Sequence, residues 1–238
     1  VTGANRGIGQ GIALALAGAG ADLVAVGQSA PRDTMKSVGG LGRKAHFIAA
    51  NLMSTKPIEG VVAEAIAMAG RVDILVNNAG IIRRGDATDF TELDWDDVMD
   101  INLKSVFFMC QCVGRHMLER GSGKIINIAS MLSFQGGIRV ASYTAAKSGV
   151  AGITRLLANE WAGTGLNINA IAPGYVATDN TAQLRADPAR SKAILERIPA
   201  GRWATPEDMG GAAVFLASPA SNYVNGHILA VDGGWLAR

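Results

Sequence analysis
The strongest constraint on this chain is an alternation. Short apolar runs at Ala21–Val26, Ala45–Leu52, Val72–Val76, Gly123–Ala129, Leu166–Ala172 and His227–Val231 are separated by stretches with helical periodicity. Runs this short and apolar, bounded by Gly, Asn or Pro, read as strands buried on both faces. Between them, Val61 to Met68, about Asn102 to Glu119, a pattern through Tyr143 to about Trp161, and Ala189 to Ile198 read as helices. Another helix is expected at Pro206-Glu207-Asp208, with Thr205 as N-cap and Pro206 at the first helical position. Such an alternation predicts an α/β fold: a single doubly wound parallel sheet flanked by helices, with ligands at the carboxyl ends of the strands. With 238 residues and neither repeats nor a linker, the chain is expected to form one domain over 1–238.

The chain opens on Val1-Thr2-Gly3-Ala4-Asn5-Arg6-Gly7-Ile8-Gly9, followed by an Ala/Leu helix to about Gly18. Glycines at 3, 7 and 9 permit a tight turn whose backbone amides, with the helix N-terminus, hold a pyrophosphate. Such a turn needs a strand before it, and Val1-Thr2 supply only the end of one. About one strand and the initiator Met are therefore expected to precede Val1. After the next strand an acid normally binds the adenosine ribose and selects NAD. Gly27 and Gln28 stand there instead. Arg6 in the glycine turn favours a 2′-phosphate or is a solvated loop charge, so these residues leave NAD and NADP both open.

Other polar residues gather at the predicted strand ends. Asn51 is placed to bond an adenine edge or to cap the next segment. Asn77-Asn78-Ala79-Gly80 is small enough for a cofactor to lie against its backbone. Arg83 and Arg84 follow in a loop, as solvated charges or as partners of an anionic substrate. Asn102 is out of place in the first turn of a helix, being satisfied locally or holding a water on the way to Lys147. The polar stretch from Tyr175 to about Pro199 is the kind of insertion that covers a site.

The acid–base chemistry falls between Ser130 and Lys147. Tyr143 and Lys147 share one helical face, and a Lys ammonium beside a phenol draws the phenol's pKa down from about 10. Ser130, at the end of a strand, is placed to hold a substrate oxygen on the same proton path. Together they suit an alcohol or a ketone.

Several classes are disfavoured. A net charge of +2 without a basic block argues against nucleic acid as a partner. Apolar runs are broken well short of a membrane span. Cys110 and Cys112 point to different faces of a helix, and His46, His116 and His227 are scattered, so neither a disulfide nor a metal site is expected. A reducing, cytoplasmic setting follows.

Taken together, T-G-x-x-x-G-x-G at Thr2 to Gly9, N-N-A-G at Asn77 to Gly80, Asn102, Ser130, Tyr143-x-x-x-Lys147 and Pro173-Gly174 resemble the short-chain dehydrogenase/reductases over essentially the whole chain. The resemblance implies a Rossmann-type domain, a homotetramer, and NAD or NADP as cofactor. It implies Tyr143 as catalytic acid/base, Ser130 orienting the substrate oxygen, Lys147 on the phenol and the nicotinamide ribose, and Asn102 supporting a relay water. By position, Gly3, Asn5, Arg6, Gly7, Ile8, Gly9, Gln28, Asn51, Leu52, Asn78, Ala79, Gly80, Pro173, Gly174, Val176 and Thr178 would line the cofactor. Asn51 departs from the Asp that many members carry at the adenine.

Within that family, N-N-A-G-I-I-R-R-G-D-A-T-D-F, S-F-Q-G-G-I-R-V-A-S-Y and E-R-I-P-A-G-R-W resemble the 2-deoxy-D-gluconate 3-dehydrogenase group, also described as 2-dehydro-3-deoxy-D-gluconate 5-dehydrogenases. This implies a deoxy sugar acid as substrate and favours NAD, with NADP the alternative. Arg84, Arg139 and Arg202 are candidates for the substrate carboxylate, and Gln135 for a substrate hydroxyl. The glycine turn with Arg6 also resembles NADPH-dependent 3-oxoacyl-carrier-protein reductases. A non-catalytic dinucleotide-sensing relative is disfavoured, because Asn102, Ser130, Tyr143 and Lys147 are all present.

Overall fold
The computed structural model describes residues 1–238. Six parallel strands, β1 (Leu23–Gly27), β2 (Ala45–Ala49), β3 (Ile74–Asn77), β4 (Gly123–Ile128), β5 (Leu166–Pro173) and β6 (Ile228–Val231), lie where the apolar runs predicted them. Helices α1 (Gly7–Gly18), α2 (Arg32–Gly40), α3 (Ile58–Ala69), α4 (Glu92–Met99), α5 (Ser105–Arg120), α6 (Ala141–Trp161), α7 (Ala182–Ala186), α8 (Pro188–Arg197) and α9 (Gly210–Ala217) fill the connections. Parallel strands require such crossovers, and the helices cover both faces of the sheet. On one face α3, α5 and α6 pack Val61, Val113 and Val150 against Ile125 and Ile168. On the other, α1 and α9 pack Ile12 and Leu216 against Val76, Ile126 and Ile171. This is the expected doubly wound α/β fold.

Strand pairing falls into two blocks, β1–β2 and β3–β4–β5–β6. The opening Val1-Thr2-Gly3 joins them: Thr2 N–H donates to Val76 O at 3.0 Å, Val26 N–H donates to Val1 O at 3.0 Å, and Gly3 N–H donates to Val26 O at 2.8 Å. Below this stitch a cavity of about 600 Å³ separates β1 from β3, walled by Val24, Val62, Leu75 and Val113.

Register then sets the site. Asn77 pairs with Asn127, and Ile128 pairs with Ile171, so the carboxyl ends of β3, β4 and β5 finish at one edge. A buried polar chain locks this edge. Asn77 donates to Asn127 Oδ1 at 2.9 Å, and Asn127 donates to Thr154 Oγ1 on α6 at 3.0 Å. Cys110 packs into the same knot, and burial pushes its thiol up to about 12, so it is chemically quiet.

Two elements differ from expectation. Asn102 is not in the first turn of α5 but in a π-helical turn, Asp100–Lys104, joining α4 to α5. The wider turn lets one helical path continue while turning the Asn side chain inward. At Pro206, the predicted cap is present as a capping box with Asp208, but it closes a short 3-10 turn, Pro206–Met209. The α-helix starts only at Gly210, where a Cβ would meet Ala15 Cβ of α1 at 2.6 Å.

Candidate active site
The site starts from α1. Its N-terminus has no side-chain cap and no acid in its first turn, so its leading amides are open to an anion. Gly3 and Gly7 have φ of 66° and 55°, which glycine adopts without strain. A Cβ at Gly9 would lie 2.2 Å from Gly3 O and 2.3 Å from Asn78 Nδ2, so the turn closes only around a bare backbone. Asn78 Nδ2 donates to Thr2 O and Gly3 O at 3.0 and 3.1 Å, and the buried Thr2 hydroxyl accepts from Asn78 N and Ala79 N at 2.9 Å each. The glycine turn and the segment after β3 are thereby one rigid wall.

That wall bounds a cleft of about 540 Å³ along the carboxyl edge. Of the residues named from the sequence, Gly3, Asn5, Arg6, Gly7, Ile8, Gly9, Gln28, Leu52, Asn78, Ala79, Gly80, Asn102, Tyr143, Lys147 and Thr178 line it. These residues fit a dinucleotide, with an open helix N-terminus for pyrophosphate and small residues such as Gly3, Ala79 and Gly80 that let it lie close to the backbone. Asn51 is exposed and outside the lining, its Oδ1 accepting from Gln28 Nε2 at 3.0 Å. Pro173, Gly174 and Val176 also lie outside the lining. Val176 is buried against Ala204, and a Cβ at Gly174 would meet Asp232 Cα at 2.6 Å. Sequence reading missed Asp179 and Asn180, which line the opposite lip. The polar run after Tyr175 was the available signal.

Asn102 is fully buried, its Oδ1 accepting from Ile81 N and its Nδ2 donating to Ile81 O, both at 2.9 Å. Lys147 is 5% exposed and donates from Nζ to Ile128 O at 2.6 Å, while lying 5.5 Å from the centre of the Tyr143 ring. A backbone carbonyl as partner leaves no trace in residue identity, so Ile128 was not predictable. Burial lowers Lys147 to about 8. Ser130 caps a short turn, with Leu132 N donating to its hydroxyl at 3.2 Å.

The expected depression of the Tyr143 pKa is not what this geometry produces. Crowding around the half-buried phenol desolvates the phenolate and raises its pKa, while the Ser130 hydroxyl and the Arg84 charge pull the other way without prevailing. With Lys147 turned to Ile128, the ammonium does not offset burial.

The candidate substrate arginines separate by what they already hold. Arg202 grips Asp208 through two bonds of 2.6 and 2.8 Å, holding that carboxyl at about 2. Arg139 pairs with Asp86 at 3.0 Å, on a backbone with φ of 61°. Arg84 has no carboxylate partner; its Nη2 donates to Asn180 O at 2.9 Å. Gln135 has its amide oxygen engaged by Trp235 and Arg197.

A family profile described as "Enoyl-(Acyl carrier protein) reductase" matches residues 3–236. A Dickeya dadantii (strain 3937) protein named 2-dehydro-3-deoxy-D-gluconate 5-dehydrogenase is 61% identical over 239 residues, covering 100% of this chain and 94% of the relative. The chain belongs to the short-chain dehydrogenase/reductase family. Two solved structures of similar proteins carry bound NADP. One, from Agrobacterium tumefaciens and assigned as a 2-deoxy-D-gluconate 3-dehydrogenase, is 57% identical with a TM-score of 0.91 over 100% of this chain and 95% of its own. The other, from Beutenbergia cavernae and assigned as an NAD(P)-dependent gluconate 5-dehydrogenase, is 51% identical with a TM-score of 0.96 over 100% and 96%. No helix of the chain is long and apolar enough to cross a membrane, and its His, Cys, Asp and Glu side chains form no metal-binding cluster.

Proposed function
We propose that this chain, working as one domain over 1–238, interconverts a secondary alcohol and a ketone of a deoxy sugar acid, as a 2-deoxy-D-gluconate 3-dehydrogenase does. The observation that carries the reading is Arg84, a cation beside the Tyr143 phenol with no carboxylate of its own. A sugar acid brings the missing carboxylate, and the names of the similar proteins point the same way.

A nicotinamide dinucleotide held along the cleft by the glycine turn and the segment after β3 would supply hydride transfer to and from the carbinol carbon. Tyr143 Oη takes the hydroxyl proton in oxidation and gives it back in reduction. Ser130 Oγ orients the substrate oxygen, and the Lys147 ammonium favours the phenolate as it forms. Asn102 keeps the segment after β3 in place through its paired bonds to Ile81.

At the ribose end, Gln28 and Asn51 offer amides and no acid, which supports acceptance of NADP as well as NAD. Arg6 is spent on Asp179 at 2.6 Å, but both groups are well exposed, and such a pair yields readily to a phosphate. Exposed Phe108 on α5 and Leu156 on α6 support subunit contacts in a homotetramer, and two unbridged cysteines suit the cytoplasm.

The deciding experiment measures initial rates on 2-deoxy-gluconate, 2-dehydro-3-deoxygluconate and gluconate, each with NAD and with NADP. Turnover of a deoxy sugar acid is expected. Activity on acetoacetyl thioesters alone would instead select the carrier-protein reductase reading. Arg84→Gln should raise KM for the sugar acid by about 10–100-fold, the worth of a hydrogen-bonded charge. The KM of a neutral ketone should be unchanged, even where turnover shifts because the Arg84 charge also acts on Tyr143, so equal rises in KM on both would remove Arg84 from carboxylate binding.

A further inference from the structure
We propose that Gln135 is a fixed hydrogen-bond donor that reads an acceptor oxygen on the substrate, and that the C-terminal turn around Trp235 is what fixes it. The proposal rests on the sugar-acid reading above. Gln135 lies on the loop that runs from Ser130 to α6, and so connects the two groups that hold the substrate oxygen. Its Oε1 accepts from the Trp235 indole Nε1–H at 3.2 Å and from an Arg197 guanidinium N–H at 3.5 Å.

The chemistry of those two partners decides the orientation. An indole N–H and a guanidinium can only donate. Flipping the amide would set its NH2 against two donors, so the oxygen must face Trp235 and Arg197. The Nε2 group is left directed away from them, and it makes no hydrogen bond within the chain. An unclamped glutamine reads donors and acceptors alike; this one offers only N–H. It therefore takes a carbonyl, carboxylate or hydroxyl lone pair and refuses a group that can only donate.

The clamp itself is well anchored. Trp235 is 5% exposed and packs with Met131, Ile194 and Ile198. Tyr175, just past β5, meets its ring edge-on at 4.8 Å, and the Arg197 guanidinium lies 4.0 Å over it. Asp232 accepts from Gly234 N and Leu236 N at 2.9 Å each, which shapes the turn. Arg238 then donates to Arg197 O at 3.2 Å and to Glu196 O. The loop after Ser130, α8 and the C-terminal turn are thus joined through one amide oxygen. Trp235 and Arg197 act as positioning residues.

The test compares steady-state kinetics of Gln135→Glu and Trp235→Phe with the wild type on the best sugar acid. Gln135→Glu keeps an acceptor for Trp235 and Arg197 but loses both N–H donors. It is expected to raise KM about tenfold, with kcat within about threefold and dinucleotide affinity unchanged. Trp235→Phe keeps the ring and its packing, leaves Arg197 as sole clamp, and should raise KM by about threefold with little change in kcat. A KM within about twofold of wild type for Gln135→Glu would overturn the proposal, by the same conversion of energy to affinity. Losses in kcat and dinucleotide affinity together would also overturn it, by showing a merely structural role. Wild-type silence on all sugar acids would sink the function reading and this proposal with it, whereas an active wild type beside an unaffected Gln135→Glu sinks the proposal alone.

Discussion
Tyr143→Phe is expected to lower turnover by about 10²–10⁴-fold, the usual worth of a positioned acid–base group, while dinucleotide affinity stays near wild type. The substitution removes only the hydroxyl, and the half-buried ring keeps its place on α6. Steady-state rates and an equilibrium titration with dinucleotide would check both halves. Retention of more than a tenth of the turnover would remove Tyr143 as the acid/base. The pH profile follows from the same group. Burial raises the Tyr143 pKa, so in the free protein the phenol predominates at neutral pH. Oxidation needs the phenolate, so kcat/KM for oxidation should climb as pH rises. Reduction needs the phenol and should decline over the same limb. Since Lys147 is brought down to about 8, the limb reports an apparent pKa of the pair and not of either residue. A flat oxidative profile would contradict this.

Gly9→Ala should be the most disruptive small substitution at the cofactor end. The added Cβ would stand 2.2 Å from Gly3 O and 2.3 Å from Asn78 Nδ2, both part of the wall that shapes the glycine turn. Neither can withdraw, because Gly3 N–H is bonded to Val26 O and Asn78 is bonded to Thr2. Overpacking of this kind costs about 3 kcal/mol, which in a chain of this size lowers Tm by roughly 6–12 °C. Dinucleotide binding should be lost as well, since the displaced amides are the ones that would meet the pyrophosphate. Gly18→Ala, in the same helix, is the control. Nothing lies within 4 Å of its Cβ position, so the change should be neutral or stabilise by up to about 1 kcal/mol through helix propensity. Thermal melts and dinucleotide titrations of the two variants would separate the effects. A Gly9→Ala protein that melts and binds like wild type would show that the turn has slack.

Much of this protein is determined by local pattern. The apolar runs specify strands because a continuous apolar stretch is satisfied only when both faces of the sheet are covered, and α1 to α9 provide that cover. Capping at Thr205 and the glycine turn before α1 are likewise local: each depends on residues within one turn of chain. Tyr143 and Lys147 share a helical face by spacing alone.

What only the tertiary structure decided depends on atoms brought together from distant parts of the chain. No residue spacing reveals that Lys147 donates to the Ile128 carbonyl, because a main-chain acceptor is the same for every residue type. The rise in the Tyr143 pKa is set by how tightly the protein closes round the phenol, and burial outweighs neighbouring charge there. Arg84, Arg139 and Arg202 are equivalent as letters; they diverge because Asp86 and Asp208 reach two of them and no carboxylate reaches the third. Gln135 becomes a donor only because residues near the C-terminus fold back onto its oxygen. Period and propensity choose the scaffold, since they act within a turn or a strand, whereas charge partners, desolvation and donor–acceptor polarity are pairwise terms that exist only once the chain has closed.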